Sequence, residues 1–166
     1  MSLAIHKLVL HNAYVEPGGR MTAGDPFAGV VRQRSQLARA MQQVELAAAA
    51  PTARKSWIID LQHSLRRLEI AVNNHIVEVQ APMGLLDRIV HQAPRLQRSV
   101  EQTKVDHAAL AESIAELLAT MDDTDSNERQ DDIRDAALSI LVALARHRQK
   151  GADLIYDAYA IDIGGY

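Results

Sequence analysis

The sequence predicts an all-α fold: an antiparallel up-down-up-down four-helix bundle with an N-terminal arm. Apolar residues recur at alternating three- and four-residue spacings over four long stretches, the period that keeps one stripe of a helix against a neighbour. Aromatic residues make up only 4% of a chain that is 48% hydrophobic, so Leu, Ile, Val, Met and Ala must fill the core, which suits packed helices better than sandwiched sheets. Short breaks separate the four stretches, and short connections make consecutive helices antiparallel neighbours. A length of 166 residues predicts one domain, read as an arm over 1–25 and a bundle over 26–166.

In chain order, the arm holds a short apolar piece around Leu8, Val9 and Leu10, followed by the turn residues Glu16, Pro17, Gly18, Gly19 and Gly24. Asp25 before Pro26 is a helix start with proline at the first helical position. The first helix should run to Pro51 with Val30, Arg34, Leu37, Met41, Val44 and Ala48 on its inward seam. Thr52 then caps a second helix whose seam is Ile58, Leu61, Leu65, Leu68, Val72, His75 and Val79. It lasts to Gln80, where Ala81 and Pro82 break it; a short continuation through Val90 precedes the turn at Ala93 and Pro94.

The third helix is expected from about Arg95 to Met121, with the seam Leu96, Val100, Thr103, His107, Leu110, Ile114, Leu117 and Met121. A polar string from Asp122 to Asn127 ends it. Asp125 and Glu128 have the spacing of a capping box and open the fourth helix, which carries Ile133, Ala137, Ile140, Leu144, His147, Gly151, Leu154 and Ala158 inward and reaches about Ala160.

Composition excludes several function classes. A net charge of −3, with no arginine-rich patch interleaved with aromatics, offers no field for a nucleic-acid backbone. The absence of cysteine removes disulfides, thiolate metal sites and cysteine nucleophiles. Leu3 to Leu10 is interrupted by His6 and Lys7 and is too short for a signal-peptide core, and no stretch approaches a membrane span. A soluble cytoplasmic protein is expected, with neither membrane nor nucleic acid as partner and with self-association left open. No Gly-rich phosphate loop is present, and Ser64, Ser99, Ser113 and Ser139 have no partnered base at helical spacing, so no catalytic residue is assigned.

The chemistry-bearing pattern is on the seams. His75, His107 and His147 occupy inward positions of the second, third and fourth helices, and Arg34 occupies one on the first. At ~1.5 Å per residue, His75 and His107 lie roughly 20 to 25 Å from the turn that joins their helices, and His147 falls within about two helical turns of that level. A lone seam histidine is most often a neutral core residue hydrogen-bonded to a carbonyl or carboxylate. Coincidence in depth on three helices favours a shared site, because bundles build metal and ligand sites from side chains on facing helices.

The order of these residues, His75 with Glu78 nearby, then Asp106-His107-Ala108-Ala109-Leu110, then His147 followed by acidic positions, resembles the hemerythrin-like (HHE) four-helix bundles over roughly residues 30–160. The resemblance is one of layout. It implies a non-haem di-iron centre held by histidines from each helix and carboxylates from the second and fourth, used for oxygen, nitric oxide or peroxide chemistry or for iron and redox sensing. Carried onto this chain, His75, His107 and His147 match the histidine anchors. Arg34 stands where the first helix would offer a histidine, Val79 where the second would offer a carboxylate, and Ala152 where the fourth would, with Asp153 one residue late and Asp157 a turn deeper. The candidate metal ligands are His75, Glu78, His107 and His147, holding iron or zinc with an open position for a small diatomic ligand. The alternative is a non-catalytic helical interaction module whose inward histidines are structural and bind no metal, with Arg34 paired to Glu78 inside the bundle.

Overall fold

A computed structural model describes residues 28–122 and 129–159 of the chain, with side chains from residue 35 onward. The described residues are all-helical, with four long helices: α1 Ala28–Ala49, α2 Trp57–Gln80, α4 Gln97–Asp122 and α5 Gln130–Tyr159. A short helix, α3 Leu85–Gln92, and a 3-10 turn, Pro94–Leu96, lie between α2 and α4. Helix α1 packs on α2 and α5, and α4 packs on the same two, so the long helices form a closed ring around the core. No helix among the described residues is long and apolar enough to cross a membrane. The expected arm over 1–25, the Asp25 cap and the Asp125–Glu128 capping box lie outside the described residues.

Sequence punctuation sets most of the boundaries. Pro51 ends α1, and the chain then turns through hydrogen bonds from Arg54 N–H to Pro51 O (3.1 Å) and from Trp57 N–H to Arg54 O (2.9 Å). Helix α2 therefore begins at Trp57 and not after Thr52, the cap expected from sequence. Those turns bring the Trp57 ring into the core at 1% exposure. Ser56 takes the N-cap position without a side-chain cap bond, its hydroxyl donating instead to Asp60 Oδ2 (2.9 Å). At the other end Pro82 forces Ala81 out of helical geometry (φ −56°, ψ 151°), as the sequence predicts.

The reversal after α2 is tight. Met83 adopts a left-handed conformation (φ 60°), and its N–H donates to Asp87 Oδ2 (3.1 Å). Gly84 follows against the end of α2, where a Cβ would stand 2.6 Å from Ala81 O, 2.9 Å from Val79 O and 3.0 Å from Glu78 O. From there α3 lays Leu85, Leu86 and Ile89 over the ends of the long helices, so the expected short continuation is a separate helix with its own buried face.

The seams are buried nearly as patterned, and they divide into two apolar clusters. The larger holds Leu37, Val44, Leu61, Leu65, Leu68, Ile114, Ile133 and Leu144 among its members. The smaller holds Val79, Leu85, Leu86, Ile89, Val100, Leu154 and Ile155. Arg134 closes the far end of the larger cluster: Nε donates to Ala48 O (2.9 Å) and Nη2 to Ala50 O (2.8 Å), satisfying carbonyls at the end of α1. Its guanidinium also lies 5.2 Å from the centre of the Trp57 ring, within cation–π range.

Two glycines, Gly84 in the reversal before α3 and Gly151 within α5, should respond oppositely to alanine. Gly84→Ala drives a methyl into three backbone carbonyls that cannot swing aside and should cost about 2 to 3 kcal/mol. Gly151 lies inside α5 with nothing within 4 Å of the Cβ position, so Gly151→Ala should gain about 0.5 to 1 kcal/mol from helix propensity. Urea unfolding of the two variants beside the wild type measures both signs.

Candidate metal centre

The boundary between the two apolar clusters is where the histidines sit. On α2, His75 lies between Val72 of the larger cluster and Val79 of the smaller; on α4, His107 lies between Leu110 and Val100; on α5, His147 lies between Leu144 and Leu154. Each helix thus carries its histidine inward at the same level, and the three rings meet in one polar layer. The ring centroids of His107 and His147 are 4.6 Å apart, and His75 stands edge-on to both at 5.4 and 5.7 Å. His107 and His147 are 2% and 6% exposed; His75 is half-buried.

The nitrogens converge more closely than the rings. His107 Nε2 and His147 Nε2 are 3.1 Å apart, and His147 Nε2 and His75 Nε2 are 3.5 Å apart. One ring nitrogen from each histidine falls within 4.8 Å of the others, and this is the one such group of metal-ligating side chains among the described residues. Two imidazoles on a tetrahedral ion with metal–nitrogen distances near 2.0 to 2.1 Å would hold their nitrogens about 3.3 Å apart. The two separations at His147 bracket that value, and the remaining pair, His75 and His107, lies within 4.8 Å.

Outside the layer, Gln80 Nε2 lies 2.7 Å from His107 Nδ1, tying the last residue of α2 to α4. Between α4 and α5, Lys150 Nζ donates to Asp106 Oδ2 (2.8 Å) and Gln102 donates to Asp106 Oδ1 (3.0 Å). The hydrogen bond from Lys150 is the main reason the Asp106 carboxyl titrates below its ordinary value, with Gln102 and the nearby positive charge adding to it against a cost of burial. The Nδ1 of His147 is buried with no hydrogen-bond partner among the described residues.

Burial pushes the His107 imidazole down to about 3, and His147 and His75 push the same way, while Asp106 pulls weakly upward. His147 is lowered as well, by burial first and by Lys150, against Asp106. Both rings are therefore neutral near pH 7, the protonation state in which imidazole can donate a lone pair to a cation.

Of the four ligands expected from sequence, the three histidines come together and Glu78 does not join the group. Its helical angle explains this. Three residues after His75, Glu78 is turned about 60° off the histidine's direction, whereas Val79 at four residues is within about 40° of it and fills the inward position. Asp153 is exposed and accepts from Gln149 Nε2 (2.8 Å). Asp157 contributes only its backbone carbonyl to Arg95 Nη2 (2.7 Å). The expected pairing of Arg34 lies outside the described side chains. Gln80 was not anticipated, because a residue five positions after His75 is off the seam and reaches His107 only where α2 ends.

The depressed imidazoles tie stability to pH with a definite sign. Between the ordinary histidine value and the folded one, the unfolded chain binds protons that the folded chain refuses, so stability falls as pH drops below about 6.5. His107 alone should remove about 2 to 3 kcal/mol between about pH 6.5 and 4.5 in chelator-treated protein, and His107→Leu should flatten that slope. Chemical denaturation across this range measures it; an unchanged slope in the variant would mean that His107 is not buried neutral.

No family model, curated protein or solved structure matches the chain, so its function has to be argued from the three-histidine layer itself.

Proposed function

We propose that the chain is a metal-binding helical bundle in which His75, His107 and His147 hold one transition-metal ion through their Nε2 atoms. The observation that carries this reading is the convergence of three imidazole nitrogens at 3.1 and 3.5 Å in a layer where two of the rings are held neutral by burial. Three imidazole donors with no carboxylate among them suit Zn(II) better than Fe(II), since iron sites draw on carboxylate as well as imidazole. A single ion also fits better than the di-iron centre implied by the hemerythrin-like layout, whose bridging carboxylates have no counterpart in the cluster.

The reading extends to an antiparallel up-down-up-down bundle in the cytoplasm that takes a small ligand at an open coordination position. A cavity of about 40 Å³ beside the histidines supports that extension; Leu37, Val79, Ile89, Thr103 and Gly151 are among the residues that line it. It is large enough for a water molecule or a diatomic and too small for most metabolites. Gly151, four residues after His147 on the same seam, leaves this space because it has no side chain there. When bound, the ion supplies a Lewis-acidic position facing the cavity. The chain's own part is to orient the three rings, keep His107 and His147 unprotonated by burial and limit what can approach.

A second reading rests on the 3.1 Å contact itself, which is also a hydrogen-bond length: a proton shared between His107 and His147 would make the layer a structural element of a non-catalytic interaction module.

Metal analysis and titration separate the two. Protein purified without a chelating resin should carry, or take up, about one Zn(II) or Co(II) per chain, and Co(II) should give the visible bands of a tetrahedral site. His107→Ala and His147→Ala should abolish uptake. No uptake at all, together with a raised melting temperature in His107→Leu, is the result expected of the structural reading. Gly151→Leu tests the cavity: Co(II) uptake should persist while stoichiometric cyanide, a diatomic, no longer perturbs the spectrum as it should in the wild type.

A further inference from the structure

Among the described residues, Gln80 is the one side chain outside the triad in hydrogen-bond contact with a ring nitrogen of the layer's most buried histidine. The contact is to Nδ1, the nitrogen of His107 that faces away from the cluster; Nε2 faces His147. A neutral imidazole carries one proton, so whatever Gln80 does at Nδ1 decides what Nε2 offers to the other two rings.

The two possibilities are chemically distinct. If the amide N–H of Gln80 donates to Nδ1, the ring proton must be on Nε2, where it points at His147 Nε2 and closes the layer as a hydrogen-bonded pair. If the amide carbonyl accepts from Nδ1–H, Nε2 presents a bare lone pair to the space shared with His147 and His75. A half-turn about the last side-chain bond exchanges the two, since the carboxamide has both a donor and an acceptor at nearly the same place. Glutamine is able to serve both states; a carboxylate serves only the second and an apolar side chain neither.

We propose that Gln80 is a positioning residue for the three-histidine centre, its amide setting the tautomer of His107 and thereby whether Nε2 is closed by a proton or open to a cation. The proposal rests on the metal-binding reading above for the cation, but its statement about the proton stands independently of it. The location fits: Gln80 is the last residue of α2, half-buried, and its amide lies 2.7 Å from His107 Nδ1. Partners of this kind, on the outer nitrogen of a metal-ligating histidine, typically change affinity by about 10- to 100-fold when removed.

The test compares the full-length wild type with Gln80→Glu and Gln80→Met. In chelator-treated, ¹⁵N-labelled protein, long-range ¹H–¹⁵N correlations of the histidine rings read the His107 tautomer directly, and competition against a chromophoric chelator gives Zn(II) affinity. The wild type should carry the His107 proton on Nε2 in the metal-free state. Gln80→Glu should move it to Nδ1 and tighten Zn(II) binding on the order of 10-fold, while Gln80→Met should weaken binding by about 10-fold or more. Thermal melts followed by circular dichroism establish that each variant is folded, and if the glutamate is not tolerated the Zn(II) affinity of Gln80→Met against wild type carries the test. The wild-type His107 tautomer retained in folded Gln80→Glu, or Zn(II) affinities of the folded variants equal to that of wild type within about twofold, would overturn the proposal. A wild type that binds neither Zn(II) nor Co(II), but whose His107 tautomer still follows residue 80, would overturn the metal-binding reading and leave the role of Gln80 at His107 supported.

Discussion

The meeting of three imidazole rings between two apolar clusters is the constraint on which the rest of the structure turns. Placing a polar ring in a helix core costs free energy unless its nitrogens find partners, and a charged ring costs far more. The chain meets this by collecting the rings at one level, so that His107 and His147 face one another and His75 closes the third side. Leucines and valines above and below then pack as two separate clusters, and the bundle needs α3 to cover the smaller one. A single inward histidine could be tolerated in isolation; three at one level impose a boundary on the whole core.

Electrostatics around the layer run in opposing directions, and burial wins. Asp106, held ionised mainly by Lys150, favours protonated neighbours and pulls both His107 and His147 upward, yet desolvation outweighs it at each ring. The Asp106–Lys150 contact also joins α4 to α5 beside the rings, Asp106 preceding His107 and Lys150 following His147 by one helical turn. Two partially exposed charges in such a contact contribute modestly to stability, and their effect here is on geometry and local potential more than on the fold. The same dehydration that makes the layer costly leaves its lone pairs unprotonated at neutral pH, which is the condition the proposed metal-binding role requires.

Much of this was legible in the sequence because helical periodicity reports which side chain faces inward. On α5 every seam residue from Ile133 to Ala158 is buried except Gly151, which has no side chain to bury, and on α4 the departures are Leu96, in the preceding 3-10 turn, and Thr103, both half-buried. Depth was less legible: the residue count brought His75 and His107 to one level only by running the second helix on toward Pro94, whereas α2 ends at Gln80, five residues past His75, and α4 begins at Gln97, ten residues before His107. Periodicity said less where the chain leaves the helix. The Pro51–Ser56 turns displaced the start of α2 from Thr52 to Trp57, and a fully buried tryptophan at that edge belonged to no seam. Glu78 was one residue from an inward position, and on a helix that one residue turns a side chain by about 100°, enough to separate it from the cluster. Gln80 escaped for the opposite reason: at a helix terminus a side chain reaches beyond its own face, so spacing no longer predicts its neighbour.

Gly151 brings two of these strands together. A glycine within a long helix forgoes about 1 kcal/mol relative to alanine, and an unfilled space beside buried rings forgoes the dispersion contacts that a leucine at that seam position would make. Both costs fall at one position, one turn beyond His147, and neither is required by the backbone, since the Cβ position has open room around it. The neighbouring seam positions on the same helix, Leu144 and Leu154, are filled and buried. Where local propensity and packing are both set aside at a single residue next to a layer of neutral ligand-type nitrogens, the departure is concentrated where chemistry would take place and not scattered through the core. On the proposed metal-binding reading, the vacancy left by Gly151 and the convergence of His75, His107 and His147 are two sides of one arrangement: three rings that would hold an ion, and room next to them that would admit a small ligand.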